Sequence, residues 1–436
     1  MTDAPEADAP RADAPRAPIE IDVAVVGGGP AGATAAERLA RTHHSVALID
    51  RAGRIKPCGG AIPTAALEHF AIPPKLLVAR VRAARMIAPS GATVDMDIRE
   101  TRPHGFVGMV DREDFDEWLR SRAATVGATR VTGTVKRVER LESGRWAVEI
   151  SEKGGGTRTL HARAVIGADG ANSAVRRAVF PPTMKPRYVT AYHEIIESPA
   201  SSGGAHGSSD AAPGSSGEPG GFASGAFDPD RCDVYYQGRI SPDFYGWVFP
   251  HGRRTSVGCG SMRKGYDPRA ATKLIREDAG LAGCETIRTE GAPIPLKPMR
   301  RWHDGGGVLL AGDAAGVVAP SSGEGIYFAM RGGQLAAECA AEWLETGRAR
   351  SLARARRTFM REHGRTFLAL GVLQAIWYRS DKRREQFVKM CRDRDVQRLT
   401  WEGYLDKKLV RRDPLGHARV AIKDAMELMG LRRAQG

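Results

Sequence analysis

The chain has 436 residues, 42% of them hydrophobic and 27% charged, enough for about two to three domains with real cores. That composition excludes a disordered, collagenous or coiled-coil protein. Six cysteines without paired spacing exclude a disulfide scaffold or zinc ribbon, so no metal site is expected and the thiols should be reduced, in a cytoplasmic compartment. The net charge of +14 is concentrated late, with 23 Lys and Arg against 11 Asp and Glu over residues 345–436. No nucleic-acid-binding signature accompanies that excess, so no nucleic-acid partner is expected. A basic helical segment suits an anionic membrane surface, an acidic protein or plain solvent.

In chain order, residues 1–19 repeat Asp-Ala-Pro three times and predict a disordered tail. Nothing there has the apolar core of a signal peptide, and no run approaches a spanning helix. Residues 21–26 read as a buried strand, 31–41 as a helix and 45–50 as a second strand. Residues 111–126 form an amphipathic helix pattern with Phe115, Trp118, Leu119 and Ala123 on one side. Residues 130–150 alternate like strands, turn at Gly154-Gly155-Gly156, and lead to the apolar strand 164–166. Over 198–230 the composition collapses to Ser, Gly, Ala and Pro, predicting a flexible insertion before strand-like sequence resumes at 232–237. A buried strand at 308–310 and a helix at 326–344 precede the basic helical region.

Gly27-Gly28-Gly29-Pro30-Ala31-Gly32 is a dinucleotide fingerprint between strand and helix. Gly27 permits the tight turn, Gly29 lets a pyrophosphate approach the backbone, and Gly32 allows close helix packing. The helix N-terminus presents free N–H groups to the phosphates, beginning at Ala31. Asp50 ends the next strand and suits the ribose hydroxyls, with Arg51 beside it. Strand, helix and acid in register make the signal strong.

Two later segments, Ile166-Gly167-Ala168-Asp169-Gly170 and Ala311-Gly312-Asp313-Ala314-Ala315-Gly316, resemble the Asp-Gly and Gly-Asp motifs of FAD-dependent oxidoreductases of the hydroxylase-like class. The resemblance implies FAD as cofactor, with Asp169 and Gly312 near it and Asp313 on the ribityl chain. Pro320-Ser321-Ser322-Gly323-Glu324-Gly325 would then open a helix under the flavin pyrimidine, with Gly323 and Gly325 at the cofactor.

Lys56-Pro57-Cys58-Gly59-Gly60 resembles the K-x-C-G-G segment of geranylgeranyl reductases. Pro242-Asp243-Phe244-Tyr245-Gly246-Trp247-Val248-Phe249-Pro250 is similar to their P-x-x-Y-x-W-x-F-P motif at every specified position. The region from Phe367 to Leu405 resembles the tetrapyrrole branch of that family, which reduces geranylgeranyl to phytyl. The likeness spans about residues 20–197 and 231–430; the acidic tail and the insertion depart from it.

The resemblance implies a mixed α/β and α+β architecture. A Rossmann-like FAD-binding domain of the aromatic-hydroxylase type is expected over 20–85, 111–180 and 296–345. An antiparallel β-sheet substrate domain is expected over 86–110 and 181–295, and a helical C-terminal region over 346–436. The implied substrate is geranylgeranyl diphosphate or geranylgeranyl-(bacterio)chlorophyll, and NADPH is the implied reductant, with reduced ferredoxin as the other donor. An anionic photosynthetic membrane and a (bacterio)chlorophyll synthase are the implied partners, with peripheral membrane association. Tyr245, Trp247 and Phe249 alternate on one face and, with Pro250, can line a slot for an isoprenoid. Cys58, Gly59 and Gly60 are assigned to the catalytic loop with Tyr245 and Trp247. The residues leave Cys58 open between proton donor and small buried hydrophobe. An aromatic hydroxylase or halogenase, or a non-catalytic prenyl-binding escort, are the competing readings on the same fold. Leu373, Trp377, Trp401 and Leu405 are further candidates for apolar membrane contact, although some of them must pack the basic region against the body.

Overall fold

The structure, a computed structural model, describes residues 17–199, apart from 52 and 54, and 227–407. Most of the expected disordered tail, residues 200–226 of the expected insertion, and the end of the basic region lie outside the described residues. The insertion's C-terminal flank packs: Phe227 leans on a core cluster, and Asp228 takes the Arg231 guanidinium.

Strand Ile19–Val26 occupies the middle of the first sheet, parallel to Val46–Asp50 on one side and Thr157–Gly167 on the other. Its last four residues are completely or almost completely buried, as a continuous apolar run in a sheet covered on both faces must be. Thr129–Arg140 and Val308–Leu310 extend the sheet in parallel. Trp146–Glu152 completes the same sheet, pairing antiparallel with Thr129–Arg140 and Thr157–Gly167. Helices Pro30–Ala40 and Ile326–Thr346 cross closely, because a Cβ at Gly333 would lie 2.2 Å from the Ala31 carbonyl oxygen.

The second sheet has seven strands in the order Thr286–Pro295, Tyr188–Glu197, Arg254–Ser261, Gly246–His251, Arg231–Tyr235, Ala83–Ile87 and Thr93–Asp97. It is antiparallel except where Arg231–Tyr235 runs parallel to Ala83–Ile87. That pair joins distant parts of the chain, and parallel neighbours require such a long crossover. A three-stranded sheet of Ala61–Pro63, Val107–Val110 and Leu77–Val81 carries the segment after Cys58.

Three helices follow the first domain: Ala349–Trp377, Asp381–Met390 and Arg394–Asp406. Ser380 and Asp393 cap the second and third through their side chains, which sets the breaks between them. Buried Arg384 donates to the Pro242 and Tyr378 carbonyls and clamps the helices to the aromatic motif. Trp377, Trp401 and Leu405 are consequently buried, in one cluster with Phe244, Tyr245 and Trp247. Of the two expected places, membrane and body, these three take the body: covering the apolar face of the second sheet outweighs exposing them.

His363 lies among Phe328, Phe359 and Phe367, and neither ring nitrogen has a hydrogen-bond partner. Burial pushes its pKa down from 6.5 to about 4. Below pH 6.5 the unfolded chain takes up a proton that the folded chain refuses, so stability is lost as pH falls toward 4. The loss should reach about 3 kcal/mol. His363→Phe should remove that part of the acid dependence, which chemical denaturation at pH 7 and pH 4.5 will measure.

Candidate active site

The fingerprint loop has the geometry its glycines require. Gly27 sits at φ +104°, and a Cβ there would lie 2.4 Å from the Ala168 carbonyl oxygen. At Gly32 a Cβ would strike the Gly27 carbonyl oxygen at 1.8 Å, whereas at Gly29 it would meet nothing within 4 Å. The open space at Gly29 faces a helix N-terminus with Pro30 at its first turn and no side-chain cap, a cradle that fits a pyrophosphate. Asp50 Oδ2 accepts from Arg120 at 3.0 Å, so Arg120 orients the carboxylate; Arg51 is exposed beside it. Ala31 is buried, and a Cβ at Gly312 would lie 2.8 Å from the Ala31 methyl. These two positions bring helix and strand end together.

Asp169 uses Oδ2 to accept the N–H groups of Ala174 and Val175, capping the helix Ala174–Val179. Its Oδ1 is buried without a partner, and burial pushes the carboxyl up. Asp313 is also buried and pairs with Lys56 at 2.5 Å. An orphaned carboxylate oxygen and a second carboxylate beside an open phosphate cradle fit the hydroxyl-rich linker of a flavin dinucleotide.

From Pro30, Lys56 and Asp313 a cavity of about 570 Å³ extends between the second sheet and the C-terminal helices. Cys58, Gly59, Gly60, Tyr245, Trp247, Phe249, Gly323 and Gly325 all line it. Pro250 does not: it is buried within the strand, opposite Thr255. Sequence reasoning missed the opposite wall, where Leu370, Phe387, Met390, Cys391, Val396 and Tyr404 contribute. The polar tips of the motif aromatics point into protein. Tyr245 donates to the Ser322 carbonyl at 2.6 Å, and Trp247 Nε1 donates to Ser256 Oγ at 3.1 Å. What remains for the cavity is apolar surface.

The Cys58 loop is fixed from several sides. Gly60 sits at φ +68°, and a Cβ there would lie 2.4 Å from the Val110 carbonyl oxygen. His251, directly after the aromatic motif, bridges Asp111 and the Gly59 carbonyl at 3.2 and 3.0 Å. The Gly60 N–H reaches Cys58 Sγ at 3.4 Å. Arg112 is buried beside the thiol; burial opposes its charge, but Asp116 and then Cys58 hold its pKa above the ordinary arginine value. A motif residue followed by His was the one available sign of His251; the Arg112–Asp116 pair had none.

The cradle, the two carboxylates and the adjoining apolar cavity define a flavin-dependent oxidoreductase with a hydrophobic substrate. The family described as "Pyridine nucleotide-disulphide oxidoreductase" matches residues 21–185, and "Lycopene cyclase protein" matches 267–427. Geranylgeranyl diphosphate reductase of Rhodobacter capsulatus is 50% identical over 414 residues, covering 95% of this chain and 98% of that one. The chloroplastic geranylgeranyl diphosphate reductase of Oryza sativa subsp. japonica is 37% identical over 417 residues, covering 92% and 84%. The chain belongs to the geranylgeranyl reductase family. A solved geranylgeranyl bacteriochlorophyll reductase-like protein of Thermoplasma acidophilum shares the fold, with TM-score 0.75 at 21% identity, covering 92% of this chain and 100% of that one.

Proposed function

We infer that the protein saturates the isolated double bonds of a geranylgeranyl chain, yielding phytyl, in (bacterio)chlorophyll synthesis. The chain is presented as geranylgeranyl diphosphate or as geranylgeranyl-(bacterio)chlorophyll, and NADPH supplies the electrons. The observation that carries the reading is the apolar cavity joining the dinucleotide cradle to the Tyr245–Trp247–Phe249 face. A bound FAD supplies hydride to the alkene. Asp313 would accept hydrogen bonds from the ribityl hydroxyls of a bound FAD, and Tyr245 anchors the Ser322 backbone beside that site. The Cys58-Gly59-Gly60 loop, braced by His251, positions the chain, while the C-terminal helices exclude water. Anaerobic reoxidation of the NADPH-reduced protein by geranylgeranyl diphosphate tests this reading.

Membrane association belongs to the same reading. Among the described residues no helix is long and apolar enough to span a bilayer. Helix Ala349–Trp377 nevertheless exposes Leu368 and Val372, 69% and 49% accessible, in a stripe with exposed Arg361, Arg365 and Ala375 and the following Arg379. Their spacing of three and four residues puts them on one face. The neighbouring Thr366, Leu370 and Leu373 line the cavity, so an apolar centre flanked by arginines lies beside the prenyl wall. Such a stripe suits an anionic lipid surface and delivery from it, with a (bacterio)chlorophyll synthase as the next enzyme. Vesicles containing anionic lipid should bind the protein at low salt and release it as salt screens the arginines. Leu368→Glu with Val372→Glu should weaken binding roughly tenfold or more. Indifference to anionic vesicles would assign the stripe to solvent.

A further inference from the structure

Saturating an alkene takes one proton and one hydride, the hydride carrying two electrons. Protonation leaves positive charge on the more substituted carbon until hydride arrives. A dry cavity therefore needs a group that gives a proton and a neighbour that offsets the charge.

The described residues place few free acids on the cavity wall. The Tyr245 and Tyr378 hydroxyls donate to the Ser322 and Ser321 carbonyls. Both nitrogens of His193 are taken, by Ser256 and Glu290. Arg112 pairs with Asp116 and Lys56 with Asp313. The Cys58, Cys232 and Cys391 thiols and the Tyr236 and Tyr404 hydroxyls also line the cavity, and Lys56 is 38% exposed. Among the described residues Glu324 and Lys407 are the ion pair whose two members both line the cavity and are both buried, each side chain 4% exposed.

Glu324 lies between two glycines that locate it. A Cβ at Gly323 would lie 2.9 Å from the Tyr245 hydroxyl, and one at Gly325 would lie 3.9 Å from Asp313 Oδ1. The backbone that carries Glu324 thus runs between the Asp313 carboxylate and Tyr245. Glu324 Oε1 is buried without a partner. Lys407 Nζ lies 4.0 Å from the Tyr404 ring centroid, and an ammonium has three donors, of which Glu324 accepts one. Burying such a pair among apolar residues costs stability, and a strained environment of that kind marks functional sites.

We propose that Lys407 is the proton donor of alkene reduction, and that Glu324 keeps it charged and offsets the positive charge on the chain. The assignment rests on the reading of the protein as a prenyl reductase. In each cycle the π bond breaks and two C–H bonds form, one from hydride of the reduced flavin and one from the ammonium. The neutral amine then recovers a proton from solvent when product leaves and water re-enters the cavity. Burial pushes the Lys407 pKa down, partly offset by Glu324, and an ammonium so weakened is a better acid. Tyr404 and His363 are the other titratable groups facing it.

Lys407→Arg is the decisive variant. Arginine keeps the charge and the ion pair but cannot release a proton, so an architectural latch would survive it. Flavin content, melting temperature and the rate of flavin reduction by NADPH should stay within about twofold of wild type, while anaerobic reoxidation by geranylgeranyl diphosphate slows by roughly 100-fold or more. Lys407→Ala should recover with added methylamine or ethylamine. In the oxidised, substrate-free protein, side-chain NMR should find Lys407 titrating below the ordinary lysine range, and lower still in Glu324→Gln. Wild-type reoxidation in Lys407→Arg overturns the assignment. Wild-type protein that no prenyl substrate reoxidises overturns both the assignment and the reading beneath it.

Discussion

Asp313→Ala should purify with roughly a tenth or less of the wild-type flavin. The carboxylate is 7% exposed, in the turn that follows the edge strand Val308–Leu310, beside the open cradle. Losing a charged acceptor for the ribityl hydroxyls costs roughly 1.5–3 kcal/mol, a weakening of about 10- to 100-fold in Kd. The substitution also leaves Lys56 without its partner at 2.5 Å, adding an uncompensated cation to the site. Asp313→Asn, which keeps one acceptor oxygen, should fall between the two. Flavin-to-protein absorbance and a fluorescence titration measure the effect. Full occupancy in Asp313→Ala would place the ribityl chain elsewhere.

Gly60→Ala should abolish most alkene reduction while sparing the cofactor. At φ +68° an alanine pays about 1–2 kcal/mol for the left-handed backbone, and its methyl would press on the Val110 carbonyl and the His251 ring at 2.4 Å. A carbonyl in a paired strand cannot retreat, so the Cys58 loop must move and break the His251 bond to Gly59. A displacement near 1 Å at a positioning loop costs on the order of 100-fold in rate. Gly91→Ala is the control: φ is +86°, but nothing lies within 4 Å, so it should lose only a little stability. If both variants reduce substrate at the wild-type rate, the loop does not position the chain.

What could be read in advance divides along the type of interaction. Local patterns carried the first sheet, because Ile21 to Val26, the glycines and Asp50 declare strand, turn and acid within thirty positions. The motif aromatics carried one cavity wall, since alternation places Tyr245, Trp247 and Phe249 together whatever they face. The other wall was invisible. Trp377 and Trp401 look alike in sequence whether they meet lipid or the second sheet, and only the Arg384 clamp decides. Glu324 and Lys407 are 83 positions apart, as Gly59 and His251 are 192, and no local period records such pairs. Pro250 was misplaced by extending a motif past the face it presents: strand alternation sets it opposite Phe249.

The direct test is to count hydrogens on the chain. Purified protein reduced with NADPH under anaerobic conditions should convert geranylgeranyl diphosphate, or the geranylgeranylated pigment, to products heavier by successive pairs of hydrogens, ending at phytyl. Mass spectrometry follows the series, and flavin reoxidation follows each step. A flavin that NADPH reduces but that leaves the mass of both substrates unchanged would contradict the account.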